Sequence, residues 1–194
     1  MISQQRVILV HGYDTTPNGG WFPWLMAELK KLAVFAVALD MPTQATPKQE
    51  EWVAEIARAV ERHRGHDVYL VGHSLGCTAI LFYLARESAE RVKGVVLVSG
   101  RAEPPLHTAT APFYHQYDFV QARRNCHAFA VIHASDDHTS VYQNGIDLAR
   151  ALDVALVTVP TGRHLWGVDR VHELPEVMTA LAALGLVSER KEDR

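Results

Sequence analysis

Along most of the chain, short runs in which nearly every residue is apolar alternate with longer stretches in which apolar residues recur every three or four positions. The run at 6–10 reads as a strand. Beyond a Gly-containing loop, Trp21, Leu25, Leu29 and Leu32 follow at the spacing of one helical face. Residues 34–39 read as a second strand, and 40–47, with two prolines, as a loop; Trp52, Ile56 and Val60 then mark a helix from 48 that ends near Gly65. Strands at 67–71, 93–98, 127–133 and 154–159 and helices at 75–87, 139–151 and 172–184 continue the alternation, with an irregular segment at 101–125. Strands made of continuous Val, Ile, Leu and Ala suit a sheet buried on both faces, whereas a half-exposed strand alternates with polar residues. The expected architecture is therefore a three-layer α/β/α sandwich around a six-stranded, mostly parallel sheet.

Composition narrows the setting. A chain of 194 residues that is 48% hydrophobic can bury one good core, so a single domain over 1–187 is expected, with a charged, frayed tail at 188–194. The 19 basic and 22 acidic residues are well mixed and leave a net charge of -3, which is no footprint for nucleic acid or an anionic membrane; neither is expected as a partner. The apolar run before His11 is too short for a signal-peptide core or a membrane span, so a cytoplasmic location is expected, with a monomer as the default state. Cys77 and Cys126 read as buried free thiols. With no H-E-x-x-H pattern and no Cys/His pairing, neither a metal site nor a cofactor is implied.

The candidate chemistry starts at Gly72-His73-Ser74-Leu75-Gly76. A serine between two glycines is a weak signal alone, but this one follows a buried strand without a break and leads straight into a helix. That is the setting of a nucleophile elbow. Such a turn forces Ser74 into a sparsely populated conformation, and Gly72 and Gly76 remove the Cβ atoms that would clash there. The competing reading makes Ser74 an ordinary helix N-cap. A serine nucleophile needs a base and a group to orient it, drawn in a parallel sheet from loops past the carboxyl ends of strands. Ser135-Asp136-Asp137-His138 follows the strand at 127–133, and Gly162-Arg163-His164 the strand at 154–159, in the chain order serine, acid, histidine.

Among eleven histidines, His164 is favoured as base because no packing role calls for an imidazole in its Gly-containing loop. His138 adjoins the candidate acid and is assigned to pocket or surface. His11, ending the first strand, is expected to hydrogen-bond the following loop, and His73 to point away from Ser74. The remaining seven, His133 among them, read as solvated. Position alone leaves Asp136 and Asp137 open as the acid, the other being free to cap the next helix.

Residues 6–185 resemble a small α/β-hydrolase, and more narrowly the compact serine hydrolases of the YdeN and retinoblastoma-binding-protein type. The resemblance rests on His11-Gly12-Tyr13 with Trp21-Phe22-Pro23-Trp24-Leu25, then Asp40-Met41-Pro42, Gly72 to Gly76, Val96 to Gly100 and Ser135-Asp136-Asp137, in the same order. It implies a minimal fold without a large cap, selects Asp137 as the triad acid and matches the family histidine to His164. The family often has Gly-Gly-His or Cys-Gly-His where this chain has Gly162-Arg163-His164, and Arg163 is expected to point outward. Leu75 to Ala79 lacks the acidic end of the L-x-C-x-E segment, so retinoblastoma binding is not carried over.

On this reading Ser74 attacks an acyl carbonyl, His164 takes its proton, Asp137 orients the imidazole, and the N–H groups of Leu75 and Tyr13 hold the oxyanion. The expected partner is a small-molecule acyl substrate, by default a short carboxylic ester, with Trp21, Trp24, Phe113, Tyr114 and Trp166 as candidates to line its pocket. Amide, thioester or peptide cleavage on the same triad, or a non-catalytic interaction protein, are the alternatives.

Overall fold

The computed structural model describes residues 4–103, 113 and 116–186. Tyr114, His107, His115 and the 188–194 tail lie outside the described residues. Six strands, β1 (Gln5–Val10), β2 (Phe35–Leu39), β3 (Asp67–His73), β4 (Gly94–Val98), β5 (Phe129–Ala134) and β6 (Leu156–Val159), form one sheet in the order β2-β1-β3-β4-β5-β6. Every pairing is parallel.

The continuous apolar runs have the expected cause. Successive residues of a strand face opposite sides, and both sides are covered. On β1, Val7 and Leu9 join one core with Phe22, Leu25 and Leu29 of α1 (Phe22–Lys31) and Val177 and Leu181 of α6 (Pro175–Ala183). Ile8 and Val10 join the other core. There they meet α2 (Gln49–Arg62), α3 (Leu75–Leu84) and α5 (Thr139–Leu152), with Ala122 of α4 (Phe119–Arg124). Every residue of α3 is buried, which explains why it reads as an unbroken apolar run rather than a striped helix. No helix among the described residues is long and apolar enough to cross a membrane.

Among the described residues of the expected irregular segment at 101–125 lies a helix that the sequence pattern did not reveal, α4. Six residues with a single buried position are too few to show a period; its start is marked only by the Asp118 side chain, which accepts from Gln121 N at 2.8 Å. The last helix begins at Pro175 rather than 172, with proline in its first turn. β6 is an edge strand, partly exposed and shorter than its apolar run.

Chain order reverses between β1 and β3: β2 lies on one side of β1 while β3 and its successors lie on the other. Such a switch point opens a crevice beyond the carboxyl ends of the two strands. The residues that leave β1 and β3 there are His11 to Tyr13 and Ser74.

α3 is seated against this crevice by one glycine. A Cβ at Gly76 would lie 2.1 Å from Val10 O and 2.7 Å from His11 O. Val10 is the last residue of β1, paired on both sides, and its carbonyl cannot move without disturbing the sheet, so Gly76→Ala is expected to lower the unfolding free energy by about 3 kcal/mol, the upper end for overpacking. A shift in urea midpoint corresponding to less than about 1 kcal/mol would mean that α3 slides freely on the sheet.

Candidate active site

The turn from β3 to α3 has no loop. Ser74 alone makes it, at φ 52° and ψ -117°, a region costing about 1–3 kcal/mol for a residue with a side chain. The turn is held because Ser74 N still donates to Val98 O as a ladder bond, and Ser74 O already accepts from Cys77 N. Gly72 allows the helix to fold back, since a Cβ there would lie 2.9 Å from Cys77 N. Ser74 occupies the N-cap position, but its side chain caps nothing. Its Oγ is 2.9 Å from His164 Nε2, and His164 Nδ1 is 2.9 Å from Asp137 Oδ2. Because a carboxylate only accepts, Nδ1 carries the imidazole proton and Nε2 is left to accept from the Ser74 hydroxyl.

Asp137 is the buried end of this line, its side chain 7% exposed against 36% for His164. Burial disfavours its ionised form, but the His164 hydrogen bond and charge, with the His138 N–H donated to Oδ1 at 2.7 Å, outweigh it and hold the carboxyl below its ordinary pKa. Asp136 is not a helix cap. Its carboxylate turns to the histidine loop and accepts Arg163 N at 2.7 Å and Gly162 N at 3.2 Å. The adjacent acids thus grip one loop twice, Asp137 by the imidazole and Asp136 by the backbone. Nothing in residue spacing marks the second grip; a free carboxylate and a loop N–H meet only in three dimensions.

The loop needs these restraints, because Arg163 and Leu165 on either side of His164 both have positive φ, 46° and 53°. His164 O accepts from His73 Nε2 at 2.9 Å and from Ser99 Oγ at 3.1 Å, and Leu165 O from Trp21 Nε1 at 2.9 Å. Arg163 is exposed, as expected, in the wall of a cleft of about 720 Å³ that neither Ser74 nor His164 lines.

Several candidate pocket residues are instead packing. Trp21 is fully buried beneath the histidine loop, Phe113 fully buried against Trp52 and Phe82, and Trp166, 5% exposed, stacks on His73 with ring centroids 4.3 Å apart. Trp24 is half-buried against the α1 core. Trp21 satisfies its one polar atom inside the core, and large buried rings are residue types that composition cannot distinguish from a pocket wall. His133, expected in solvent, is also buried, donating Nε2–H to Gly100 O at 2.8 Å across Gly145. Its isolation in an apolar strand was the available signal.

His11 serves the β1 loop as expected. Met41 N donates to its Nε2 at 3.3 Å, so Nδ1–H donates to Gly12 O, 2.8 Å away; Thr15 Oγ1 donates to the same oxygen at 3.0 Å. With that carbonyl fixed, the trans peptide turns the Tyr13 N–H to the opposite side. Gly12 is at Ser74 itself, since a Cβ on it would lie 3.1 Å from Ser74 Cβ. Leu75 opens α3, so its N–H has no acceptor within the helix. Among the described residues there is no group of His, Cys, Asp and Glu fit to hold a metal ion, and Cys77 and Cys126 are buried and unpaired with each other.

A sequence profile described as serine hydrolase matches residues 7–183. The hydrolase YdeN of Bacillus subtilis (strain 168) is 32% identical over 183 residues, which cover 92% of this chain and 95% of the relative. The crystal structure of the B. subtilis ydeN gene product superposes with a TM-score of 0.84, covering 93% of this chain and 98% of that one. A carboxylesterase structure from Nitrososphaera gargenis shares the fold at 14% identity, with a TM-score of 0.71 and coverage of 93% and 90%.

The buried histidines set an acid limit on this arrangement. Burial is the main cause that lowers His73 from 6.5 to about 3 and His133 from 6.5 to about 4. Each stays neutral in the fold but takes a proton in the unfolded chain, so stability is complete above pH 6.5 and is lost as pH falls, down to about 4 for His133 and about 3 for His73. The expected slope is about 1.4 kcal/mol per pH unit for each histidine. Urea unfolding between pH 7 and pH 4.5 measures it, and His133→Asn should make the acid loss shallower. Identical slopes for the two proteins would show that His133 does not titrate in this way.

Proposed function

This chain belongs to the serine hydrolase family and has its α/β-hydrolase fold, and from that premise we propose that it cleaves a small carboxylic ester through an acyl-enzyme on Ser74. The observation that carries the reading is the unbroken line from Ser74 Oγ through His164 to Asp137, both hydrogen bonds 2.9 Å long. The ester preference is further supported by the carboxylesterase that shares the fold.

As Ser74 Oγ bonds to the ester carbonyl carbon, His164 Nε2 takes the hydroxyl proton, and Asp137 stabilises the imidazolium that forms. The carbonyl oxygen becomes an oxyanion between the N–H groups of Leu75 and Tyr13. Aiming Tyr13 N–H is the task of His11 and Thr15, which hold the far side of its peptide. Collapse expels the alcohol, which receives its proton from His164. A water then gives a proton to the same nitrogen, attacks the acyl carbon and frees the acid, restoring Ser74.

A fluorophosphonate probe should label the wild type and not Ser74→Ala, and that variant should lose about a thousandfold or more in kcat/KM on 4-nitrophenyl butyrate. Equal labelling of the two proteins would remove Ser74 as the nucleophile. Asp136 enters as a positioning residue. Asp136→Ala should lower kcat about 10- to 100-fold with KM little changed, the scale of a misplacement of about 1 Å. Asp136→Asn, which keeps one acceptor oxygen, should fall between; an unchanged kcat in the alanine variant would show that the histidine loop holds its shape without this carboxylate.

A further inference from the structure

Two neighbouring strands end in the same backbone departure. Ser74 directly follows β3 with φ 52°, and Ser99 directly follows β4 with φ 51°. At Ser74 that conformation presents a nucleophile, but Ser99 is only 1% exposed and too buried to touch a substrate. Its backbone is fixed by a run of three bonds: Val98 O accepts from Ser74 N, Ser99 N donates to Ile132 O, and Gly100 O accepts from His133 Nε2. A glycine takes up a left-handed conformation without steric cost, so the backbone path alone has no use for a side chain here. What serine adds is a hydroxyl, and Ser99 Oγ donates to His164 O at 3.1 Å.

That bond closes a ring through the candidate site. Ser74 N reaches Val98 O, the next residue is Ser99, Ser99 Oγ reaches His164 O, and His164 Nε2 returns to Ser74 Oγ at 2.9 Å. His164 is thereby tied to three adjacent strands. His73 of β3 and Ser99 beyond β4 donate to its carbonyl oxygen, and Asp137 beyond β5 holds its Nδ1. These ties restrain different freedoms: the contact at Nδ1 sets the rotation of the imidazole, whereas the carbonyl sets where the peptide, and with it the Cα, lies. One donor would leave that carbonyl free to pivot; an oxygen with two lone pairs, held by donors from two strands, is fixed. Asp136 acts on the other side of the residue, at the Gly162 and Arg163 N–H groups.

We propose that Ser99 is a positioning residue for the hydrolysis, its hydroxyl anchoring the His164 peptide to the strand end that also holds Ser74, so that a strained serine stands where glycine would fit more easily. The proposal rests on the ester-hydrolase reading above and deepens it. The separation of nucleophile and base becomes a property of the end of β4, a buried strand paired on both sides, and not of the histidine loop alone. Proton transfer depends on holding that separation within about 0.5 Å, which a support locked by packing and hydrogen bonds can do.

Two variants separate the hydroxyl from the strain. Ser99→Ala loses the hydroxyl and keeps the strain, whereas Ser99→Gly loses both. On 4-nitrophenyl butyrate each should lower kcat about tenfold with KM little changed, less than the roughly hundredfold cost of a misplacement of about 1 Å, because His73 still holds the same oxygen. In urea, Ser99→Gly should unfold at a midpoint equal to or above that of Ser99→Ala, so that activity and stability part company. Wild-type kcat in either variant, or a kcat that recovers in Ser99→Gly together with stability, overturns the assignment. NMR reads the same role without turnover. The low-field signal of the His164 Nδ1 proton, identified by its absence in His164→Gln, should persist in Ser74→Ala and be lost to exchange with water in both Ser99 variants. An unchanged signal in those two variants sinks the role of Ser99 whatever the labelling result, whereas failure of the fluorophosphonate probe to label Ser74 sinks only the hydrolytic reading.

Discussion

Where α3 leaves the sheet, its second residue comes so close to β1 that a methyl group would meet the Val10 carbonyl oxygen at 2.1 Å. That approach is what the rest of the site depends on. It brings the first turn of a buried helix against the switch point of the sheet, where the chain leaving β1 and the chain leaving β3 meet. Ser74 is then compelled into its φ of 52°, because no loop separates strand from helix. The hydroxyl is lifted clear of the sheet and is free to meet a partner from elsewhere in the chain. The strain is sustained by the burial of α3 on every side, which leaves the helix no alternative seat.

The partner is held by an equally determined loop. Its carbonyls are taken by His73, Ser99 and Trp21 and two of its N–H groups by Asp136, so the positive φ values around His164 are balanced by hydrogen bonds drawn from four separate parts of the chain. Those donors are neutral. A protonated His73 would put a positive charge beside His164, and burial prevents this at ordinary pH. The same burial that makes His73 a reliable clamp makes the fold sensitive to acid.

Much of this could be read without coordinates. The three layers follow from continuous apolar strands alternating with helical spacing, and the elbow from glycines flanking a serine between a strand and a helix, because these are local rules acting over a few residues. Legibility failed where the signal was short or shared. Six residues of α4 with one buried side chain carry no period, and buried Trp21, Phe113 and Trp166 are the same residue types that a substrate pocket would use.

The sequence by itself determined the order of the elements, the burial of both faces of the sheet and the residue types available for acid-base chemistry, because periodicity and glycine sterics are properties of neighbouring residues. Residue spacing left the adjacent acids open and the family resemblance pointed to Asp137; only the tertiary structure placed Asp137 on the imidazole and Asp136 on the loop backbone, and revealed His133 in the core. Those outcomes depend on which groups from distant segments converge after folding. Hydrogen-bond partnership and the electrostatics of burial are set by distance and enclosure in space, which no spacing along a chain encodes.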